Sequence, residues 1–426
     1  MTTLLVVLLI LLLAAMGAPL FSLVAVIAWL GLRIAGYDEA LLAVQFWSLT
    51  EMPVLIAIPL FTLAGYLLSE SKAPQRLLRL SEALLGWLHG GLAIVALLVC
   101  AFFTAFTGAS GVTIIAFGAL LLPALRQAGY PERCSLGGVS TAPSLGMLFA
   151  PSVPLILYGI VAQQLSTTPS VSINDMFAAG VLPGLMMIAV VSAYSMWRAP
   201  KRAHDIPFSL DEARAAVWDA RWELPLPFIL IGGVYGGLFA TSEAAAVVAL
   251  YVLFVTVVVR REISLARLPS VLRDSMMLVG AILLILGVSL ALTNVIIDAE
   301  VPARLIEWVS AHVDSKLAFL LLLNLFLLGL GMMLDVFSAT VIMVPILLPI
   351  AMHYGVHPVH LGIMFLANME IGYFMPPMGM NLFIASYRFD KPVLTLARSC
   401  LPFFWLLLGC VLVITYFPSL SLVWIT

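Results

Sequence analysis

Hydrophobic residues fall along this chain in long blocks, at 4–31, 52–70, 91–125, 135–162, 172–197, 224–239, 241–259, 272–297, 317–351, 358–387 and 400–422. Most reach the roughly 20 residues that a helix needs to cross a bilayer. Three shorter stretches, 75–88, 210–222 and 302–313, alternate charges and leucines at helical spacing, which predicts helices lying in the interface plane. The pattern predicts an all-α, multi-pass integral membrane protein. Residues 1–30 lack a basic start and outrun a signal-peptide core, so they are read as a first transmembrane helix.

Lysine and arginine set the orientation. Lys72, Arg76 and Arg79 flank one loop, and Arg126 and Arg133 the next. Arg198, Lys201, Arg202, Arg214 and Arg221 share a third. Arg260, Arg261, Arg267 and Arg273 share a fourth, and Arg388, Lys391 and Arg398 a fifth. These are 17 of the 20 basic residues, leaving Arg33, Arg304 and Lys316 for the other face. The split holds only if segments 91–125 and 317–351 each enter and leave on one side. Both have a polar, helix-breaking centre: Thr107-Gly108-Ala109-Ser110-Gly111 in the first and Asp335-Val336-Phe337-Ser338-Ala339-Thr340 in the second. Both are therefore read as re-entrant hairpins, one from the cytoplasm and one from outside, with the N-terminus cytoplasmic. Irregular backbone at membrane depth survives only inside protein or along a cavity, so the tips mark the interior site.

Composition agrees. Hydrophobic residues make up 63% of the 426 and charged residues 10%, against about 25% charged in soluble domains. Cys100, Cys134, Cys400 and Cys410 match no metal or redox spacing; they are read as packing residues, Cys134 at a helix start. No phosphate-binding Gly-rich loop is present, so the chain is not expected to consume ATP itself, and nothing points to nucleic acid or to soluble catalysis.

The two hairpin regions resemble each other. Leu121-Leu122-Pro123 recurs as Leu347-Leu348-Pro349, an offset of 226 (347 − 121), and the same offset pairs Gly129 with Gly355, Gly146 with Gly372 and Pro151 with Pro377. An offset of 228 pairs Pro74 with Pro302 and Arg76 with Arg304. The flanking charges put the copies in opposite orientation. An inverted repeat with broken helices at the midplane is the plan of secondary transporters.

The run Gly232-Gly233-Val234-Tyr235-Gly236-Gly237-Leu238-Phe239-Ala240-Thr241-Ser242-Glu243-Ala244-Ala245-Ala246 resembles the signature of the large subunits of TRAP (tripartite ATP-independent periplasmic) transporters, with Ala-Thr-Ser in place of Thr-Pro-Thr. Gly129-Tyr130, SLGMLFAPSVPLILYG at 144–159, Leu334-Asp335 and NMEIGYFMPPMGMNLF at 368–383 are similar to the same family, in order along the chain. The first tip, TGASGVT, departs from the Gly-Ser-Ser type that many members carry. The resemblance implies a sodium-coupled elevator transporter in a bacterial inner membrane. Its partners would be a small four-helix membrane subunit, expected as a separate polypeptide, and a periplasmic binding protein that delivers an organic acid. On that plan 1–90, 163–316 and 389–426 form scaffold and arms, while 91–162 and 317–388 form the moving transport unit.

Sodium is a hard cation and takes oxygen ligands. The first repeat offers Gly108, Ala109, Ser110, Gly111 and Thr113, facing a break at Ser140-Thr141-Ala142-Pro143-Ser144. The second offers Asp335, Ser338 and Thr340, facing Gly372, Met375 and Pro376. Ser110, Ser144, Ser338 and Asn381 are the candidate substrate contacts, with half-helix N-termini facing the anion. The same small residues also suit close helix packing. Buried Asp335 and Glu370 favour cation coordination over anion contact, and hydrogen bonding to a broken helix is the structural alternative. Glu243, after Thr241 and Ser242, fits an N-terminal cap. His353, His357 and His360 are expected in an exposed loop, not in a metal site. Two other readings are a stand-alone secondary anion transporter with the same hairpins and an intramembrane enzyme using Asp335 and Glu370.

Overall fold

The computed structural model describes residues 10, 12, 13, 16–165, 168–200, 209–236 and 238–425. Lys201, Arg202, Gly237 and the N-terminal residues that carry the expected cytoplasmic start lie outside the described residues. All regular elements among the described residues are helical, and nine helical stretches are long and apolar enough to cross a membrane.

The first block is not one helix through residue 31. Pro19 caps α1 (Leu20–Ala35), which ends on Gly36 at φ 78°. A short α2 (Ala40–Ser48) follows; the sequence reading missed it because its nine residues bury no side chain fully and show no long apolar run. The next elements are α3 (Ala57–Glu70), the amphipathic α4 (Ala73–Leu85), and the pair α5 (Gly91–Thr107) and α6 (Ser110–Gln127). The first broken helix runs as α7 (Glu132–Thr141), a 3₁₀ segment (Ala142–Leu148) and α8 (Val153–Gln164), and α9 (Ile173–Trp197) closes this copy.

Between the copies lie amphipathic α10 (Leu210–Asp219), α11 (Pro225–Tyr235) and α12 (Thr241–Phe254). Glu243 caps α12 by accepting the Ala240 N–H at 2.9 Å. The second copy holds α13 (Leu268–Asp298), α14 (Val301–His312), α15 (Lys316–Met333), α16 (Val336–His353), α17 (Pro358–Gly372), α18 (Met380–Phe389) and α19 (Val393–Tyr416), with a final turn α20 (Ser419–Leu422).

The repeat is exact at the hairpins. Adding 226 carries both ends of α6 onto both ends of α16, the turn Gly108-Ala109 onto Leu334-Asp335, and the start of α7 onto the start of α17. Adding 228 carries the end of α3 onto the end of α13 and the start of α4 onto the start of α14. Ala150–Pro151 and Pro376–Pro377, also 226 apart, are both cis.

The closest packing falls in two sets of helices, joined where α3 packs on α5 and α13 on α16. In the first, α13 packs on α1, α2 and α3, and α12 packs on α3. In the second, α5 packs on the 3₁₀ segment, α8 on α16, α6 on α18, α7 on α19 and α15 on α17. Every residue of α17 is buried, which makes it the core of the second set. That corrects one expectation: His360 is 2% exposed inside α17, within reach of Ser421 and the Thr415 carbonyl, because the helix starts at Pro358 and carries it inward. His357 caps the same helix.

Ion pairs join the basic loops in two groups. Buried Arg76 of α4 holds Glu223 through Nε at 2.9 Å and also ion-pairs Glu262, whose other oxygen takes the Lys72 N–H at 2.8 Å. Arg79 pairs with Glu212, Arg260 with Asp219 and Arg267 with Glu70. Glu132 takes both Arg126, at 2.7 Å, and Lys391, at 3.1 Å. Lys316, by contrast, donates to the Gly355 carbonyl at the base of the second hairpin. Cys100, Cys134, Cys400 and Cys410 are buried and unpaired.

Candidate functional site

Two two-residue turns build the site. Thr107 ends α5, Gly108 takes φ 66°, and extended Ala109 leads into α6. Gly108 is required twice over, by that angle and because a Cβ there would sit 2.8 Å from Val153. In the second hairpin Leu334 and Asp335 are extended, and Asp335 caps α16: Oδ1 accepts the Ser338 N–H at 2.9 Å and Oδ2 the Ser338 hydroxyl at 2.6 Å.

The tips meet in one cavity of about 530 Å³. Gly108, Ala109, Ser110 and Gly111 line it from the first hairpin, and Asp335 and Ser338 from the second. Tyr373 and Met380 flank the break between α17 and α18, and Leu278, Ile282 and Ile285 of α13 also line the cavity. The size falls in the range of small-molecule sites.

Behind the first tip, Ser110 donates to Asn381 Oδ1 at 2.8 Å, and Asn381 Nδ2 donates to Ser144 Oγ at 2.9 Å. Three of the four candidate substrate residues therefore satisfy one another. Ser338 is engaged by Asp335, and the Val336 N–H donates to the Tyr373 hydroxyl oxygen. Tyr66, on the same cavity, has no signal in the sequence beyond lying in an apolar run, and Tyr373 is marked only by lying in the run 368–383.

The remaining candidates stand off the cavity. Thr113 accepts from Thr104 at 2.8 Å. Thr141 donates to the Gly137 carbonyl and Thr340 to the Val336 carbonyl. Gly372 packs on Gly331, where a Cβ would meet backbone at 2.5 Å. Half-buried Met375 and exposed Pro376 lie in the connection to α18. Glu370 is wholly buried off the cavity, and neither carboxylate oxygen has a hydrogen-bond partner among the described residues.

One expected break moves. Ser140 to Ser144 stays helical, tightening from α to 3₁₀ across Pro143, and the chain opens only at 149–152. Pro143 sits at the start of the 3₁₀ segment, where a missing N–H costs nothing. Around this opening the Ser152 hydroxyl is fully buried without a partner among the described residues, and the adjoining Val153 abuts Gly108. An orphaned hydroxyl beside the first tip and a carboxylate with hydroxyls at the second are a donor set that suits a hard cation.

The chain matches the family model of the tripartite ATP-independent periplasmic transporter, DctM component, over residues 4–420. It is 35% identical over 383 residues to the C4-dicarboxylate TRAP transporter large permease protein DctM of Pseudomonas aeruginosa, covering 89% of this chain and 88% of that one. It is 30% identical over 420 residues to the sialic acid TRAP transporter large permease protein SiaM of Vibrio cholerae, covering 93% and 96%. Against the isethionate TRAP transporter permease protein DctMQ of Oleidesulfovibrio alaskensis it is 33% identical over 411 residues, covering 96% of this chain but 63% of the relative. In structure it is similar to the YdaH transporter of Alcanivorax borkumensis, with a TM-score of 0.62 at 17% identity over 89% of this chain and 87% of that one. It is also similar to MtrF of Neisseria gonorrhoeae, with a TM-score of 0.57 at 13% identity over 86% and 80%.

Proposed function

This chain belongs to the DctM family of tripartite ATP-independent periplasmic transporters, and on that premise we propose that it is the large permease of a sodium-coupled carrier for an organic acid. The observation that carries the reading is the convergence of two hairpin tips on one cavity, against the apolar wall of α13. Helix ends and freed backbone groups at membrane depth are how a transporter offers polar partners to solute and ion without exposing them to lipid. The site lies in a bacterial inner membrane, with the hairpins re-entrant from opposite faces.

Sodium would be held by oxygens at the tips: carbonyls around Gly108, Ala109 and Gly111 with Ser110, Thr113, Thr141 and Ser152 in the first copy, and Asp335, Ser338 and Thr340 with carbonyls near Gly372, Met375 and Pro376 in the second. It would supply the charge that couples solute movement to an ion gradient. The first turn of α6 faces the acid head of the solute, while Ser144 and Asn381 hold Ser110 in place. The set built on α5–α8 and α15–α18 moves as a unit against α1–α3 and α11–α13, as an elevator. A small membrane subunit docks on that scaffold, and a periplasmic binding protein delivers the solute.

Reconstitution of the chain in proteoliposomes with a small subunit and a binding protein tests this. Accumulation should require an inward sodium gradient and no ATP. Undiminished accumulation without sodium, under a proton gradient alone, refutes the coupling. Full-rate uptake of free solute by this chain alone would favour the stand-alone reading.

A further inference from the structure

We infer that a groove beside Glu223 holds the head of a membrane phospholipid that carries a primary ammonium, as phosphatidylethanolamine does. The groove shares no lining residue with the cavity between the tips. The Glu223 side chain is 2% exposed. Its Oε1 accepts from Arg76 Nε at 2.9 Å, while its Oε2 is buried with no hydrogen-bond partner among the described residues. Leaving a buried acceptor unmatched is costly, and more so on a charged group. Positive charge is also short here, because the one guanidinium of Arg76 pairs with two carboxylates, Glu223 and Glu262. The free oxygen calls for a donor that brings a positive charge with it.

The space for such a donor adjoins it. Glu223 lines a groove of about 250 Å³ with Leu77 and Ser81 of α4, Leu98 and Phe102 of α5, and Pro227 of α11. Apart from Glu223 and Ser81 the lining is apolar. Glu223 falls between amphipathic α10 and apolar α11, and amphipathic helices rest in the interface plane. Trp87 and Trp218 are exposed nearby in sequence, as aromatic residues at the level of lipid heads are. Arg221, two residues before Glu223, is exposed and stacks 4.5 Å from the Trp218 ring centre, with no carboxylate partner among the described residues. A zwitterionic head suits this arrangement, its ammonium on Glu223, its phosphate toward Arg221 and its acyl chains along Leu98 and Phe102.

The same chemistry sorts the heads. Choline carries the charge of ethanolamine but has no N–H, so it leaves Oε2 unmatched. A glycerol head brings a phosphate with no cation of its own to a cluster already short of positive charge. A lysine from another subunit supplies an ammonium, but its stem covers less of the apolar lining than acyl chains do.

Native mass spectrometry reads the occupant. The full-length chain is released from detergent micelles carrying equal amounts of dioleoyl phosphatidylethanolamine, phosphatidylcholine and phosphatidylglycerol. Wild type should retain the ethanolamine lipid at least about tenfold over either of the others, the scale of one charge-assisted hydrogen bond. Glu223→Gln, which removes the charge, should bring that preference within about threefold. Leu98→Trp, which fills the groove at an exposed position and leaves the Arg76 triad intact, should do the same. If Glu223→Gln fails to fold, Leu98→Trp decides. Equal retention of the three lipids by wild type, or retention of none, overturns the inference, and so does a preference that survives both variants. A cross-link from position 98 to a co-purified small subunit, with the ethanolamine preference gone, assigns the groove to a protein and overturns it as well.

Discussion

Ser110 and Asn381 stand 271 residues apart in sequence, and the hydroxyl of the first donates to the side-chain oxygen of the second at 2.8 Å. Asn381 is wholly buried and passes the link on to Ser144. Asn381→Ala strands both hydroxyls in the interior, which costs about 1–3 kcal/mol. Lower thermal stability in detergent and loss of uptake are expected together, while Ser144→Ala, which removes only the last acceptor, should cost less. Unchanged melting of Asn381→Ala would show that the link is not maintained in solution.

Asp335 has two separable tasks, capping α16 and presenting charge to the cavity. Asparagine also caps helices, so Asp335→Asn should keep the fold and weaken the apparent affinity for sodium. Asp335→Ala should add a stability loss of about 1 kcal/mol. The check is the sodium concentration for half-maximal uptake beside a melting curve for each variant. Ser110→Ala should shift that concentration less than Asp335→Asn; the reverse order would make the role of half-buried Asp335 purely structural.

The triad of Arg76, Glu223 and Glu262 ties α4 to the loops before α11 and after α12. The side chain of Arg76 is 7% exposed, and Arg76→Ala would leave two carboxylates near each other without it, a loss of about 3–5 kcal/mol. Burial pushes the Glu262 carboxyl up, but the Arg76 guanidinium, the Lys72 N–H and Arg260 outweigh it and hold it below its ordinary value. A carboxyl depressed in the folded state adds stability above its unfolded value of about 4.3, and that stability is lost as pH falls through the folded value. Melting followed from neutral to acid pH should therefore show a loss below about pH 4.3 that is smaller in Glu262→Gln.

Gly372 and Gly331 let α17 and α15 touch through backbone. Gly372→Ala should force the helices apart at a cost of about 1–3 kcal/mol, because the atom its Cβ meets is main chain. Gly329→Ala, on the same α15 but with open space around it, is the control and should be neutral or mildly stabilising. Equal effects of the two would mean that the contact does not matter.

Local chemistry made much of this legible. Gly108 punctuates the first hairpin, Pro151 and Pro377 open the broken helices, and charges mark α4, α10 and α14, so these features are written in residues near one another. The Gly and Pro matches at a fixed offset exposed the repeat for the same reason. What depends on partners distant in sequence was hidden. Nothing near Asn381 announces Ser110 or Ser144, and Tyr373 has no polar neighbour in sequence to suggest Val336. His360 misled because Gly355 and Pro358 read as a loop, whereas Pro358 starts the most deeply buried helix. Ser140 to Ser144 misled because a proline between small polar residues suggests an opening, and the chain absorbs it by tightening.

The shared register of α6 and α16 also constrains how the chain can change length. Each helix carries its tip from a loop to a meeting point with the other, so neither can grow alone. One inserted residue within α6 would turn everything beyond it by about 100° and shift it by about 1.5 Å. That is enough to take Ser110 off Asn381 while every side chain is still present. Single-alanine insertions along α6 should therefore abolish uptake even where the protein still reaches the membrane. Substitution can tune such a molecule at many positions, but its hairpins have a fixed gauge, and lineages descending from it are free to vary in the connections and not in the arms.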